Sequence, residues 1–326
     1  MATLGEDPAA RPATILDVAA AAGVSRQTVT RAMNDLPDVS AATRQRVLDA
    51  ARALNYRPNR AAQQLVRGRE VTLGFVVGDL RNPYYPELAS EITRRAAAQG
   101  WAVLVADVEG PGGAQRVESI AGRVDVVVGH LAPEHQRLVT ARAPAVLISD
   151  DEVEGVASVR LRYDDAIEAA AAHLAAAGRR RVALLDHAGP GVSGRGRLLR
   201  AALERHGLDF AGAAAPRDDD VSGAVQRLLA ARQRPDALLC FNDLRAIGAL
   251  KHLAAAGIAV PGELAVIGID GLSLGALVTP ELTTLKVDTA ELAAQALDLA
   301  AALLRGEPAA GLRRTVSHTL LLRASA

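Results

Sequence analysis

The seven residues Ser25 to Arg31, reading SRQTVTR, carry groups that suit hydrogen bonding to nucleic acid. Arg forms bidentate bonds to guanine, and Gln to adenine, in the major groove. On a helix, Arg26, Gln27, Thr30 and Arg31 share the outward face. The hydroxyls of Ser25 and Thr28 suit phosphate contacts. A second set of polar residues follows short apolar runs: Asp79, Asn82, Tyr84 with Tyr85, His130, Ser149, Arg195, Asn242, Asp243 and Asp270. Polar groups with few aromatics suit a hydroxyl-rich or amide-rich small ligand, and Asp with Arg can fix a polyol by charge-assisted bonds. A cap or turn role competes for each of them; Asp243 could simply cap a helix starting at Leu244. A third pattern, Gly189-Pro-Gly191-Val-Ser-Gly194, fits the glycine spacing of a dinucleotide loop. Pro stands between its first two glycines, and no acidic residue follows at the end of a clear second strand. It reads as a loop carrying Arg195. The seven His and one Cys show no metal-ligand spacing, and Ser193 is not in a nucleophile elbow. No enzyme, cofactor or metal is expected.

These residues need elements to position them. Thr14 caps a helix whose inward face is Ile15, Val18, Ala19 and Ala22, and Gly23 ends it. Ser25 caps a second helix with Val29, Ala32 and Met33 inward. Two short helices joined at a glycine turn make a helix-turn-helix. A third helix runs from Ala41 to Leu54, with Val47, Leu48, Ala51 and Leu54 inward. Residues 59–68 are too short for a stable lone helix and read as a linker that orders on packing. From Val71 the texture changes. Seven apolar runs, at 71–78, 101–107, 124–130, 144–150, 181–187, 236–243 and 264–270, read as buried parallel strands. Helical patterns at 86–99, 164–177, 195–206, 222–232 and 244–256 alternate with several of them. That alternation predicts doubly wound α/β architecture, and seven strands suit two lobes better than one. Ligands of such sheets bind beyond the strands' carboxyl ends.

Bulk properties fit. The 326 residues have no net formal charge, but residues 1–69 hold ten Arg against six acidic side chains. A basic head on a slightly acidic body suits DNA binding. The first twelve residues have no apolar stretch of the kind a signal peptide needs, which predicts a cytoplasmic protein. Cys240 sits in an apolar run and reads as a buried strand residue.

The run TILDVAAAAGVSRQTVTRAMN, followed by VSAATRQRVLDAARALNYRPNRAAQQL, resembles the headpiece and hinge of the lactose-repressor (LacI/GalR) family. The resemblance implies base contacts from Arg26, Gln27 and Arg31, and phosphate or scaffold roles for Ser25, Thr28, Asn34 and Tyr56. It places Asn59, Ala62 and Leu65 in a hinge helix that wedges a Leu into the minor groove. More loosely, LRNPYYPELASEITRRAAAQGW, PDALLCFNDLRAIGALKHLAAAGIAVPGELAVIGID and PELTTLKVD resemble the family's body. By that likeness Arg195, the Asn242-Asp243 pair and Asp270 face the effector, a sugar or sugar derivative. The chain departs from the family at Arg162 to Ala166, at Ser149 with Asp150, and at Leu198.

The resulting expectation is an all-α three-helix headpiece over 1–58, a hinge over 59–69, and a bilobed periplasmic-binding-protein-like α/β body over 70–326. Lobe 1 would take about 70–160 and 289–314, and lobe 2 about 161–288 and 315–326, with a helix at 289–305 and a last strand at 315–323. The family implies a repressor acting as a homodimer on near-palindromic double-stranded DNA. Two other readings compete: a solute-binding protein of the periplasmic type, and an oxidoreductase using the glycine loop.

Overall fold

The structure is a computed structural model that describes residues 14–33, 39–54, 70–151, 153–187, 192–216 and 220–326. The chain divides into two compact units, residues 1–70 and 71–326.

In the first unit the described residues form α1 (Ile15–Ala22), α2 (Arg26–Met33) and α3 (Ala41–Ala53). Thr14 and Asp17 make a reciprocal capping box at the start of α1. Gly23 closes α1 at φ 64°, a conformation costly for any side chain, and so permits the turn into α2. Val18, Ala19, Ala22, Val29, Ala32, Val47 and Ala51 are buried together. Leu54, expected inward, is 38% exposed at the end of α3, and Leu48 is only half-buried. Leu54 is the residue that caps α3, past its last helical position, and Val47 and Ala51 are the α3 residues in the fully buried core.

The second unit holds two six-stranded sheets. The first contains β1 (Thr72–Val77), β2 (Ala102–Asp107), β3 (Val126–Gly129), β4 (Ala145–Ser149), β5 (Ala157–Arg162) and β11 (Arg313–Ser317), in the order β11-β5-β4-β3-β1-β2. The second contains β6 (Arg181–Leu185), β7 (Asp209–Ala214), β8 (Ala237–Cys240), β9 (Ala265–Asp270), β10 (Thr283–Lys286) and β12 (Thr319–Leu321), in the order β12-β10-β9-β8-β6-β7. Each repeats the doubly wound order 2-1-3-4-5 with one strand added at the edge. All pairings are parallel except that of β12 with β10. Parallel sheets need both faces covered. In the first lobe α4 (Tyr84–Ala98), α5 (Gly113–Ala121), α6 (Pro133–Thr140) and α11 (Thr289–Leu304) supply the cover. In the second, α7 (Asp164–Ala176), α8 (Gly194–Arg205), α9 (Val221–Leu229) and α10 (Asp243–Ala255) do so.

The chain crosses between lobes at Tyr163, at Val287-Asp288 and at His318. The last crossing corrects an expectation. The single strand foreseen at 315–323 in the second lobe is two strands: β11 pairs with β5 in the first sheet, and β12 joins the second. The break at His318 directs one extended segment to both sheets. No described helix is long and apolar enough to cross a membrane.

Candidate functional site

The doubly wound order puts a crevice at the switch point of each sheet, where the chain leaves β1 and β3 in the first lobe and β6 and β8 in the second. A cavity of about 390 Å³ lies there, lined by both lobes. Gly78, Asn82, Tyr84 and Tyr85 follow β1, and His130 follows β3. Ser149 and Asp150 stand at the end of β4, Tyr163 at the first crossing, and Arg195 in the first turn of α8. Phe241 and Asn242 follow β8, Asp270 ends β9, and His318 occupies the last crossing.

On the first-lobe side, Tyr84 Oη and His130 Nε2 are 3.1 Å apart, and both tyrosine rings meet the imidazole edge-on. Burial depresses the His130 pKa to about 4, so the ring is neutral near pH 7. Between the lobes, Arg195 Nη2 donates to Tyr163 Oη at 2.6 Å, and that hydroxyl donates to Asp150 Oδ1 at 2.9 Å. Arg195 also pairs through Nε with Asp150 Oδ2 at 3.4 Å and donates through Nη1 to the Phe241 carbonyl at 2.7 Å. Its guanidinium lies over the Tyr163 and Phe241 rings, 4.6 and 4.4 Å from their centroids. Tyr163 stacks on His318 at 4.0 Å. Asp150, Tyr163 and Arg195 thus form one charge-assisted network joining the lobes. A second inter-lobe link runs from Ser273 Oγ to Glu87 Oε1 at 2.7 Å.

The cavity gathers Asn82, Tyr84, His130, Ser149, Arg195, Asn242 and Asp270 from the residues expected at strand ends. Two of that set stand elsewhere. Asp79 lies outside the cavity, held by Arg81 through Nε and Nη2 at 3.0 Å each; those bonds outweigh burial and keep its pKa below the usual value. Asp243 is fully buried beneath the site. It accepts from the Thr284 hydroxyl at 2.6 Å and from the Leu272 N–H at 2.7 Å, and burial pushes its pKa up to about 6. It braces the turn that carries Asp270. The helix cap foreseen for Asp243 belongs to Asn242, whose Oδ1 accepts from the Arg245 N–H at 2.9 Å. Tyr163, Phe241 and His318 were not foreseen as cavity residues. Two of them sit at lobe crossings, where only knowledge of the crossing would single them out.

In the helical unit, Arg26, Gln27 and Arg31 are all exposed on α2. Ser25 Oγ accepts from the Thr28 N–H at 3.1 Å and so caps the helix. Asn34, Tyr56, Asn59, Ala62 and Leu65 lie outside the described residues. So does part of the glycine loop; its described end shows Ser193 capping α8, with Ser193 N–H bonded to Asp186 at 2.9 Å. Among the described residues no group of three His, Cys, Asp or Glu could hold a metal.

Residues 14–59 match the family model for bacterial regulatory proteins of the lacI family, and residues 171–326 match a periplasmic binding protein-like domain. The chain is 31% identical to the lactose operon repressor of Escherichia coli K12, over 92% of this chain and 87% of that one. The chain belongs to the lacI family. Among solved lacI-family structures, the lac repressor dimer bound to operator and the anti-inducer ONPF matches 97% of this chain and 99% of its own, at TM-score 0.77 and 28% identity. A lacI-family regulator from Arthrobacter sp. FB24 in complex with lactose matches 79% of this chain and 99% of its own, at TM-score 0.71 and 32% identity. In this lacI-family chain the cavity between the lobes is built around Arg195 and Asp270, and the helix-turn-helix precedes it.

Proposed function

We propose that the chain is a transcriptional repressor whose grip on a near-palindromic DNA operator is controlled by a small sugar-like molecule bound in the cleft. The observation that carries this reading is the match of residues 14–59 to the lacI regulators, with Arg26, Gln27 and Arg31 exposed on the second helix of the turn. In this reading those three side chains read base edges, while Ser25, Thr28, Asn34 and Tyr56 hold phosphates. Asn59, Ala62 and Leu65 form a hinge that inserts into the minor groove. Asn82, Tyr84, His130, Ser149, Arg195, Asn242 and Asp270 meet the effector, and Asp243 supports Asp270 from behind. Lactose in the Arthrobacter relative and cellobiose in the complex of the regulator CelR support a sugar-class ligand. The operator-bound dimer supports a homodimer acting on operator DNA here. The effector acts by binding two states of the body unequally, and the coupling to DNA is reciprocal.

The test is operator selection at fixed salt with the full-length protein, because phosphate contacts make affinity strongly salt-dependent. Enrichment of a palindromic site, released or tightened by one sugar of a panel, is expected. Uniform binding to all sequences, with and without sugars, would sink the reading.

A further inference from the structure

The charges lining the cleft are unbalanced, and the imbalance bears on which molecule it takes. Asp150, Asp151 and Asp270 line the cavity against one guanidinium, Arg195. Arg195 is already spoken for: its three nitrogens donate to Asp150, the Phe241 carbonyl and Tyr163. Both lining histidines are neutral near pH 7, since burial brings each to a pKa of about 4. The nearby Arg162 turns to Asp164 at 3.3 Å, and Arg245 donates to the Asp186 carbonyl at 2.7 Å. Neither lines the cavity. An anionic ligand would therefore enter a site with three acidic side chains and one guanidinium already engaged.

Asp270 is the focus of that imbalance. It is 7% exposed, and its Oδ2 is buried with no hydrogen-bond partner. Its backbone stands at φ 125°, a region that non-glycine residues rarely adopt and that surrounding structure must enforce. Burial holds its carboxyl well above the usual range despite the pull of Arg195. Without a partner such a buried carboxyl favours its protonated form; a ligand cation beside Oδ2 brings back the charged form and forms a charge-assisted pair, which a neutral donor does less well. The rings of Tyr84, Tyr85, Tyr163 and Phe241 line the same cavity. Aromatic faces attract cations, as Arg195 over Tyr163 and Phe241 illustrates. Groups suited to hydroxyls are present too. Asn242 caps α10 with its carbonyl oxygen, which leaves its amide N–H groups to donate. Ser149 Oγ accepts from the Asp151 N–H at 3.2 Å, which leaves its own O–H to donate.

We propose that the effector of this cleft is a small hydroxylated amine whose protonated nitrogen pairs with Asp270, and not a phosphorylated or otherwise anionic sugar. The proposal rests on the reading of the cleft as an effector site. It is tested on the full-length protein by calorimetric titration and thermal shift with matched triplets: glucose, glucosamine and glucose 6-phosphate, and the galactose and mannose counterparts. At least one amine should bind more tightly than its parent sugar and its phosphate. Asp270→Asn should weaken that amine about tenfold or more while changing the parent less. Asn has the shape and size of Asp, so the variant fits the same space, and the wild-type comparison needs no variant at all. If in every triplet that binds the parent sugar or the phosphate outbinds the amine, the proposal is overturned and the regulator reading is left intact. Failure of every triplet to bind also overturns it, and operator selection then decides the regulator reading separately.

Discussion

His318 stays neutral inside the protein because burial depresses its pKa to about 4, against 6.5 for the free side chain. Its Nδ1 lies 3.0 Å from the Arg162 carbonyl, an acceptor, so that nitrogen carries the proton. The unfolded chain takes up a second proton below pH 6.5 and the folded chain does not. Stability supplied by the neutral ring is therefore complete above 6.5 and lost as pH falls toward 4, by up to about 3 kcal/mol. His318→Phe keeps a ring against Tyr163 and removes the titration. Chemical denaturation across that window should give a flatter stability curve for the variant; parallel curves would refute the assignment. Gly268 offers a second test. A Cβ there would stand 2.1 Å from Asp243 Oδ1, an atom already fixed by Thr284. Gly268→Ala should push the carboxylate off its partner and cost about 1–3 kcal/mol, read as a lower midpoint of denaturation.

At the scale of elements, α2 separates two kinds of effect on DNA. Ser25 caps the helix, so Ser25→Ala should lower the stability of the helical unit by about 1 kcal/mol and weaken all DNA sequences alike. Arg26 is exposed and makes no cap, so Arg26→Ala should cost about 1–3 kcal/mol at one base position and relax discrimination there. Competition binding against single-base operator variants distinguishes the two; equal losses on every sequence for Arg26→Ala would exclude a base contact. The helices and inner strands were legible in the sequence because their apolar residues follow the period of the element. β1, β3, β4, β6, β8 and β9 are covered on both faces and read as continuous apolar runs. β7 and β11 are edge strands, at Asp209–Ala214 and Arg313–Ser317, the first mostly half-buried and the second largely exposed, and they give no such run. In β5 the arginines Arg160 and Arg162 interrupt it. Strand-end rules pointed to Asn82, Tyr84, His130, Ser149, Arg195, Asn242 and Asp270, which line the cavity, but Tyr163 and His318 owe their place to crossings that no local pattern encodes.

For the whole molecule, the lobes are joined by side chains of the chain itself. Tyr163 is the pivot, since one hydroxyl serves both Asp150 and Arg195. Tyr163→Phe removes both bonds and keeps the stack on His318. The variant should lose about 1–2 kcal/mol and scatter X-rays as a more open particle. An unchanged scattering profile would mean that the link does not hold the lobes together.

The order in which the lobes share the chain also governs how the protein can be made. The first sheet opens with Thr72 but receives its sixth strand only at Arg313–Ser317, and α11 covers it only from Thr289. During synthesis the ribosome must deliver nearly the whole second lobe before the first has its last edge and its helical cover. The first lobe begins early and is completed almost last, so its unfinished sheet must wait, covered on one face by α4 alone, while the second lobe is translated. A premature stop anywhere before residue 313 would leave both lobes incomplete, not one finished and one missing.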